Sequence, residues 1–270
     1  MRYNSGGGIC MGKEQRQVIN VNRGEVNSVA DWLAEEWPLT LVVNGKQYIT
    51  LLTTPEHLDE LAVGFALGDG LLNGREDLVS VSVSSDRRQV KLALKGEVDL
   101  VSRLAVTRVL TTGCGKGSRF YRAVDSLKQH EVTGGRVLSP ERLTELMREF
   151  NGSSPLFAET GAVHAAALVR DEIEVLREDV ARHNAIDKLA GYLTLNNKQG
   201  KDYVLLSSGR ISSEFVLKAT RMGVGTIVSR SAPTALAVDL ATDLGVTVVG
   251  FVRGRRFNIY SHSWRVEGFK

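Results

Sequence analysis

Tyr203-Val204-Leu205-Leu206 runs into Ser207-Ser208-Gly209-Arg210, Thr226-Ile227-Val228 into Ser229-Arg230-Ser231-Ala232-Pro233-Thr234, and Val246 to Val252 into Arg253-Gly254-Arg255-Arg256. Between these short apolar runs lie two helical periods, Ile211 to Met222 stopped by Gly223 and Ala232 to Leu244 stopped by Gly245. Buried strands joined by helix-length connections imply parallel strands with crossover helices. In such sheets ligands bind off the carboxyl ends of the strands, so the three polar endings share one rim. A helix N-terminus attracts anions through its free amides and its dipole. An arginine in each ending turns that expectation towards a phosphate-bearing ligand.

Upstream, Ser139-Pro140 opens a helix with Leu143, Leu146, Met147 and Phe150 on one face. Ala162 to Val169 and Glu172 to Val175 pair around Arg170-Asp171. A helix from Asp179 to about Leu195 carries Ala185, Ile186, Leu189, Ala190 and Leu193 on one side, with His183, Asn184, Asp187 and Lys188 on the other. That polar face either meets solvent or lines a site. From Ser139 the order is α-β-β-α-β-α-β-α-β, a three-layer α/β unit.

The front half reads as a smaller, mainly antiparallel β unit with helices, so the chain is α/β, or α+β taken whole. Asn44-Gly45 between two alternating runs signals a type I′ hairpin. Thr54 is expected as an N-cap and Pro55 as the first helical residue of a helix through Leu58, Leu61, Ala62 and Phe65. Gly64, Gly68 and Gly70 in and after it point to close helix packing. Alternating strands follow around Val79-Val83 and Val90-Leu94. Gly134-Gly135 marks a boundary, giving a disordered tail over 1–13, a β-rich unit over 14–136 and the α/β unit over 137–270.

Thr111-Thr112-Gly113-Cys114-Gly115-Lys116-Gly117-Ser118 holds one of only two cysteines. Glycines leave the thiol uncovered, and Lys116, Arg119 and Arg122 favour the thiolate, the reactive form. A plain loop cysteine is the alternative. The glycine spacing does not fit G-x-x-x-x-G-K-[ST]. Cys10, in the Gly-rich tail, has no such surroundings.

Net charge +3 is too small to make nucleic acid the main partner, and no run approaches the roughly 18 apolar residues of a membrane helix. Two distant cysteines and no apolar leader point to the reducing cytoplasm. His164 sits in an apolar strand, where a lone histidine is commonly a hydrogen-bonded core residue. The α-β-β-α order also occurs in zinc deaminases, whose chemistry needs H-x-E and P-C-x-x-C. His164-Ala165-Ala166 lacks the glutamate and no cysteine follows Cys114, so neither zinc nor deaminase activity is expected.

Together these segments resemble the FdhD/NarQ formate dehydrogenase accessory proteins. The matching pieces are Thr54-Pro55 through Gly64-Phe65 to Gly70, the Cys114 loop and Thr160-Gly161-Ala162-Val163-His164-Ala165. They continue with Arg177-Glu178-Asp179-Val180-Ala181-Arg182-His183-Asn184-Ala185-Ile186-Asp187-Lys188, Ser207-Ser208-Gly209-Arg210, Ser231-Ala232-Pro233-Thr234 and Gly250-Phe251-Val252-Arg253. The resemblance implies a cytoplasmic, homodimeric sulfur carrier with a C-terminal domain of cytidine-deaminase-like fold. Cys114 would accept persulfide sulfur from a cysteine desulfurase. It would pass the sulfur to a molybdenum (or tungsten) bis-guanine-dinucleotide cofactor bound for formate dehydrogenase. Phe251, Val252, Arg253, Gly254, Arg255 and Arg256 are the implied cofactor contact, with Ser208, Gly209, Arg210, Ser231, His164 and His183 around it and guanine nucleotides as fragments of the ligand. Many members carry C-x-x-C in the loop, whereas Gly117 stands at the second position here, and many also carry Glu where this chain has Asp69. A non-catalytic cofactor chaperone is the rival. A thiol hydrolase pairing Cys114 with His164 or His183 is a third reading.

Overall fold

A computed structural model describes residues 12–96 and 131–269. Cys10 and the Cys114 loop lie outside them. The described chain starts as a long hairpin, β1 (Lys13–Asn22) and β2 (Glu25–Ala34), turned through positive φ at Arg23 and Gly24. Its sequence has no clean alternation, and Ile19, Val21 and Val26 are exposed, so period-2 patterning did not reveal it. The next hairpin was legible. Asn44 and Gly45 take φ of 46° and 79°, the pair a type I′ turn needs, between β3 (Trp37–Val43) and β4 (Lys46–Thr53).

Helix α1 (Leu58–Gly68) starts later than expected. Thr54 is no N-cap: its hydroxyl, fully buried, receives Lys188 Nζ at 2.7 Å and reaches the Glu178 carbonyl at 3.2 Å. A tertiary partner has claimed the capping oxygen, and His57, in the left-handed region, precedes the helix without a side-chain cap. β5 (Leu78–Val83) and β6 (Gln89–Leu94) complete a sheet of order β4-β3-β6-β5, in which β3 and β6 run parallel.

The second half contains α2 (Pro140–Gly152), α3 (Pro155–Thr160), β7 (His164–Val169), β8 (Ile173–Asp179), α4 (Arg182–Leu195), β9 (Val204–Ser207), α5 (Ser213–Arg221), β10 (Thr226–Ser229), α6 (Ala235–Asp243), β11 (Thr247–Arg253) and β12 (Arg256–Ser261). Ser139 caps α2 by accepting from the Arg142 amide, with Pro140 at its first position, as the sequence indicated. α3 and β12 were not foreseen, and α4 begins at Arg182 rather than Asp179. The sheet order is β12-β11-β10-β9-β7-β8, with β9, β10 and β11 parallel. Residues 131–138 lie along this half. The buried Arg265 guanidinium ties them down by donating to the carbonyls of Val132, Gly134 and Gly245.

Consecutive strand residues divide between two cores. Leu205, Ile227 and Val248 face α4, α5 and α6, while Leu206, Val228 and Val249 face α2. The first core continues without a break through α1 into the four-stranded sheet. α1 and α4 cross at glycine contacts. A Cβ on Gly64 would stand 1.7 Å from the Asp187 carbonyl oxygen, and one on Gly191 would stand 1.8 Å from that of Glu60. Among the described residues no helix is long and apolar enough to cross a membrane.

Apart from His183 in its first turn, the polar face of α4 is neither solvated nor open. Lys188 and Asp179, both fully buried, pair at 2.7 Å, and Asp187 pairs with Lys218 of α5 at 2.6 Å. Asn184 donates to the Leu52 carbonyl at 2.8 Å and to Asp179 at 2.9 Å. With the Arg177–Glu60 pair, these groups form a polar seam between the halves, each with a partner as burial demands.

Candidate functional site

Strand directions bring five polar segments to one rim of the six-stranded sheet. β9, β10 and β11 end there. β7 runs opposite to β9, so it begins there at His164, and His164 is paired with Asp179 at the end of β8. Arg182 and His183 open α4 immediately beyond.

Small hydroxyls lock the loops together. The buried Ser229 Oγ lies 2.8 Å from the Gly209 carbonyl and accepts from the Ser231 amide at 3.0 Å. Ser207 Oγ accepts from the Gly209 amide at 3.1 Å, and Ser208 Oγ from the Ala165 amide at 2.9 Å. The Ile211 amide donates to Ala232 O at 3.1 Å, and the Phe251 amide to Ser231 O at 3.1 Å. Ser208 and Ser231, named from the sequence as residues around the cofactor contact, thus bond through their hydroxyls to the rim's own backbone. Ser212 and Thr234 each take one first-turn amide, of Phe215 in α5 and of Ala237 in α6, whereas α4 has no side-chain cap.

The rim's main concavity is a cavity of about 960 Å³ between α2 and the ends of β10 and β11, within the range of ligand sites. Among the described residues, four guanidinium groups line it: Arg148, Arg230, Arg253 and Arg255. Ser231, Val252 and Gly254, also singled out in the sequence, are in its wall. A bulge places Phe251 in the left-handed region, φ 54°, turning Val252 into the core and leaving Arg253 exposed. Arg253-Gly254-Arg255-Arg256 is the turn of the β11–β12 hairpin, not a terminal loop as the sequence suggested. Arg256 accordingly faces a neighbouring hollow with Phe257 and Phe269. Arg210 is exposed and does not line the large cavity. The contribution of α2, with Arg148 and Asn151, was missed.

Ser208, with Asn151 and Arg230, borders a small extension of the cavity. Beside it lie His164, Arg182, His183 and Gly209. A Cβ on Gly209 would meet Arg182 at 3.3 Å and His164 Nδ1 at 3.5 Å. Burial, then Arg182 and Arg230, lower the pKa of His164. Burial pushes that of His183 down to about 4, although Glu214 Oε2 is 3.7 Å away. Both imidazoles are neutral at pH 7, so the arginines carry the rim's positive charge. Among the described residues, the buried Arg182 Nε and His183 Nδ1 have no hydrogen-bond partner.

The family model described as the FdhD/NarQ family matches residues 34–267. The chain is 38% identical over 254 residues to the sulfur carrier protein FdhD of Geobacillus kaustophilus, covering 94% of this chain and 97% of the relative. It is 37% identical over 253 residues to the protein of the same name from Bacillus subtilis, covering 93% and 97%. The fold matches the crystal structure of a proposed formate dehydrogenase accessory protein from Desulfotalea psychrophila at a TM-score of 0.78 and 23% identity, over 94% of this chain and 99% of that one. On the match over residues 34–267 and the near full-length identity to its members, this chain belongs to the FdhD/NarQ family.

Proposed function

We propose that this chain is a formate dehydrogenase accessory protein that carries sulfur on Cys114 and holds a molybdenum (or tungsten) bis-guanine-dinucleotide cofactor, its substrate, at the arginine-lined rim. The observation that carries this reading is the large cavity with Arg148, Arg230, Arg253 and Arg255 at the carboxyl ends of parallel strands. A guanidinium makes charge-assisted, often bidentate bonds to phosphate, and the cofactor bears several phosphates. The near full-length identity to proteins named sulfur carriers supports the other half of the reading.

In this reading residues 14–136 present the thiol and residues 137–270 hold the cofactor in a cytoplasmic homodimer. The Cys114 thiolate attacks the terminal sulfur of a persulfide on a cysteine desulfurase. The desulfurase thiolate leaves, and Cys114 becomes the persulfide. The terminal sulfur then passes to the cofactor. Its delivery as sulfide consumes two electrons, supplied by a thiol reductant. Gly117 removes the second cysteine of C-x-x-C, so the relay runs through one thiol.

Mass spectrometry after incubation with a cysteine desulfurase and cysteine tests this. One extra sulfur atom on the Cys114 peptide is expected, together with loss of formate dehydrogenase maturation in Cys114→Ala. Full maturation by that variant would reduce the protein to a cofactor-binding chaperone.

A further inference from the structure

The large cavity is not uniformly basic. It follows α2 from Glu141 to Asn151, ten residues, or ~15 Å at 1.5 Å per residue. Asn151 and Arg230 also border the small hollow by Ser208, whereas Arg255 also borders the one by Pro140, so the two ends are distinct. Arg230, Ser231 and Asn151 lie at one end, and Glu141 and Arg255 at the other. Glu145, in the wall between them, already accepts from Arg142 at 2.7 Å. The Glu141 carboxylate is exposed and, among the described residues, has no hydrogen bond or ion pair.

At that end the Glu141 carboxylate offsets the charge of Arg255, so phosphate is held less strongly there than among Arg148, Arg230 and Arg253, and the carboxylate offers two acceptor oxygens. The matching ligand bears anionic groups at one end and paired donors at the other. Among nucleotide bases, guanine presents an N1–H and an exocyclic N2–H side by side. Adenine and cytosine each offer a single amino group beside an acceptor. An extended nucleoside diphosphate is about as long as the distance from Glu141 to Asn151. We infer that Glu141 is the specificity-determining residue of this cavity, its carboxylate accepting from the N1–H and N2–H of a guanine base whose phosphates lie towards Arg148, Arg253 and Arg230. This rests on the rim being the cofactor site and adds which end takes the base and what reads it.

The test is calorimetric titration of the full-length protein with GDP, IDP, which lacks the 2-amino group, and ADP. The wild type is expected to prefer GDP to IDP by about ten-fold, the worth of one charge-assisted bond, and to bind ADP more weakly still. Glu141→Gln keeps the shape at a helix position that tolerates it and should bring GDP and IDP within about two-fold of each other. Its IDP affinity should fall by no more than a few-fold, and Arg253→Ala should lose affinity for both while keeping the preference. An unchanged GDP/IDP ratio in Glu141→Gln, with wild-type binding intact, overturns the role of Glu141 alone. No binding of any nucleotide by the wild type overturns the rim as a nucleotide site, and Glu141 with it.

Discussion

Gly64→Ala sets two effects of known sign against each other. Replacing a helical glycine by alanine ordinarily stabilises by ~1 kcal/mol. Here the new Cβ would stand 1.7 Å from the Asp187 carbonyl oxygen, backbone that cannot rotate away. Ordinary contact begins near 3.4 Å, so α1 and α4 must part by well over an ångström. Overpacking of this kind costs ~1–3 kcal/mol. The separation also pulls on the Thr54–Lys188 and Glu60–Arg177 contacts across the seam, and a buried charge deprived of its partner costs ~3–5 kcal/mol. The clash therefore wins, with a net loss of at least ~2 kcal/mol. At ~2.1 cal/mol/K of unfolding entropy per residue, that lowers the Tm of a 270-residue chain by ~4 °C or more. Gly68→Ala is the control: its Cβ meets only side-chain atoms at 3.5 Å, so it should be neutral or slightly stabilising. Scanning calorimetry of the three proteins decides the matter. A Gly64→Ala variant as stable as the wild type would refute the close crossing of α1 and α4.

Cys10→Ala should leave persulfide loading and formate dehydrogenase maturation at wild-type levels while Cys114→Ala abolishes both, read by peptide mass spectrometry and an activity assay on the matured enzyme. Arg253→Ala should weaken GDP binding about ten-fold or more, since charge-assisted bonds to phosphate contribute ~1.5–3 kcal/mol each. Arg88→Ala should leave GDP binding unchanged; it is a better control than Arg87, whose guanidinium holds the Pro55 carbonyl. His183 has a folded pKa depressed from 6.5 to about 4 by burial, so its contribution is complete above pH 6.5 and is lost as pH falls through 4. At 1.36 kcal/mol per pH unit that is ~3 kcal/mol at most. In urea titrations between pH 7 and pH 4, His183→Gln should therefore lose less stability on acidification than the wild type; equal losses would remove His183 from the balance.

The rim was legible because its signals are local. Three apolar runs, each ending in a polar segment that holds an arginine, fix strand direction and hence which end the loops share. What escaped needed long-range knowledge. Arg148 and Asn151 look like any solvated helix face until β11 is seen beside α2. Thr54 followed by Pro55 has the residue types of a helix start, and only the buried Lys188 shows why that hydroxyl is spent elsewhere. Asn184, Asp187 and Lys188 fit a solvent-facing stripe by period, yet all three are buried, because a second layer covers that face. A 3.6-residue period shows that two faces differ without showing that the polar one is exposed.

The long run from Arg177 to Lys188 serves two places at once. Arg177, Asp179, Asn184, Asp187 and Lys188 enter the polar seam, where they hold Glu60, Thr54, Leu52 and Lys218. Arg182 and His183, between them in sequence, stand at the rim beside Gly209 and His164. One helix end therefore fixes the distance between the four-stranded sheet and the mouth of the sheet that carries Arg230 and Arg253. A hydrophobic seam would hold the halves together just as well, since replacing buried ion pairs by apolar groups is often neutral or stabilising. What charged pairs add is register: Arg177 is satisfied only when Glu60 of α1 meets it, and Lys188 only when Thr54 joins Asp179. For a protein proposed to bring a thiol on one half to a cofactor on the other, a seam that admits one register sets the geometry of transfer more tightly than a greasy one of equal strength.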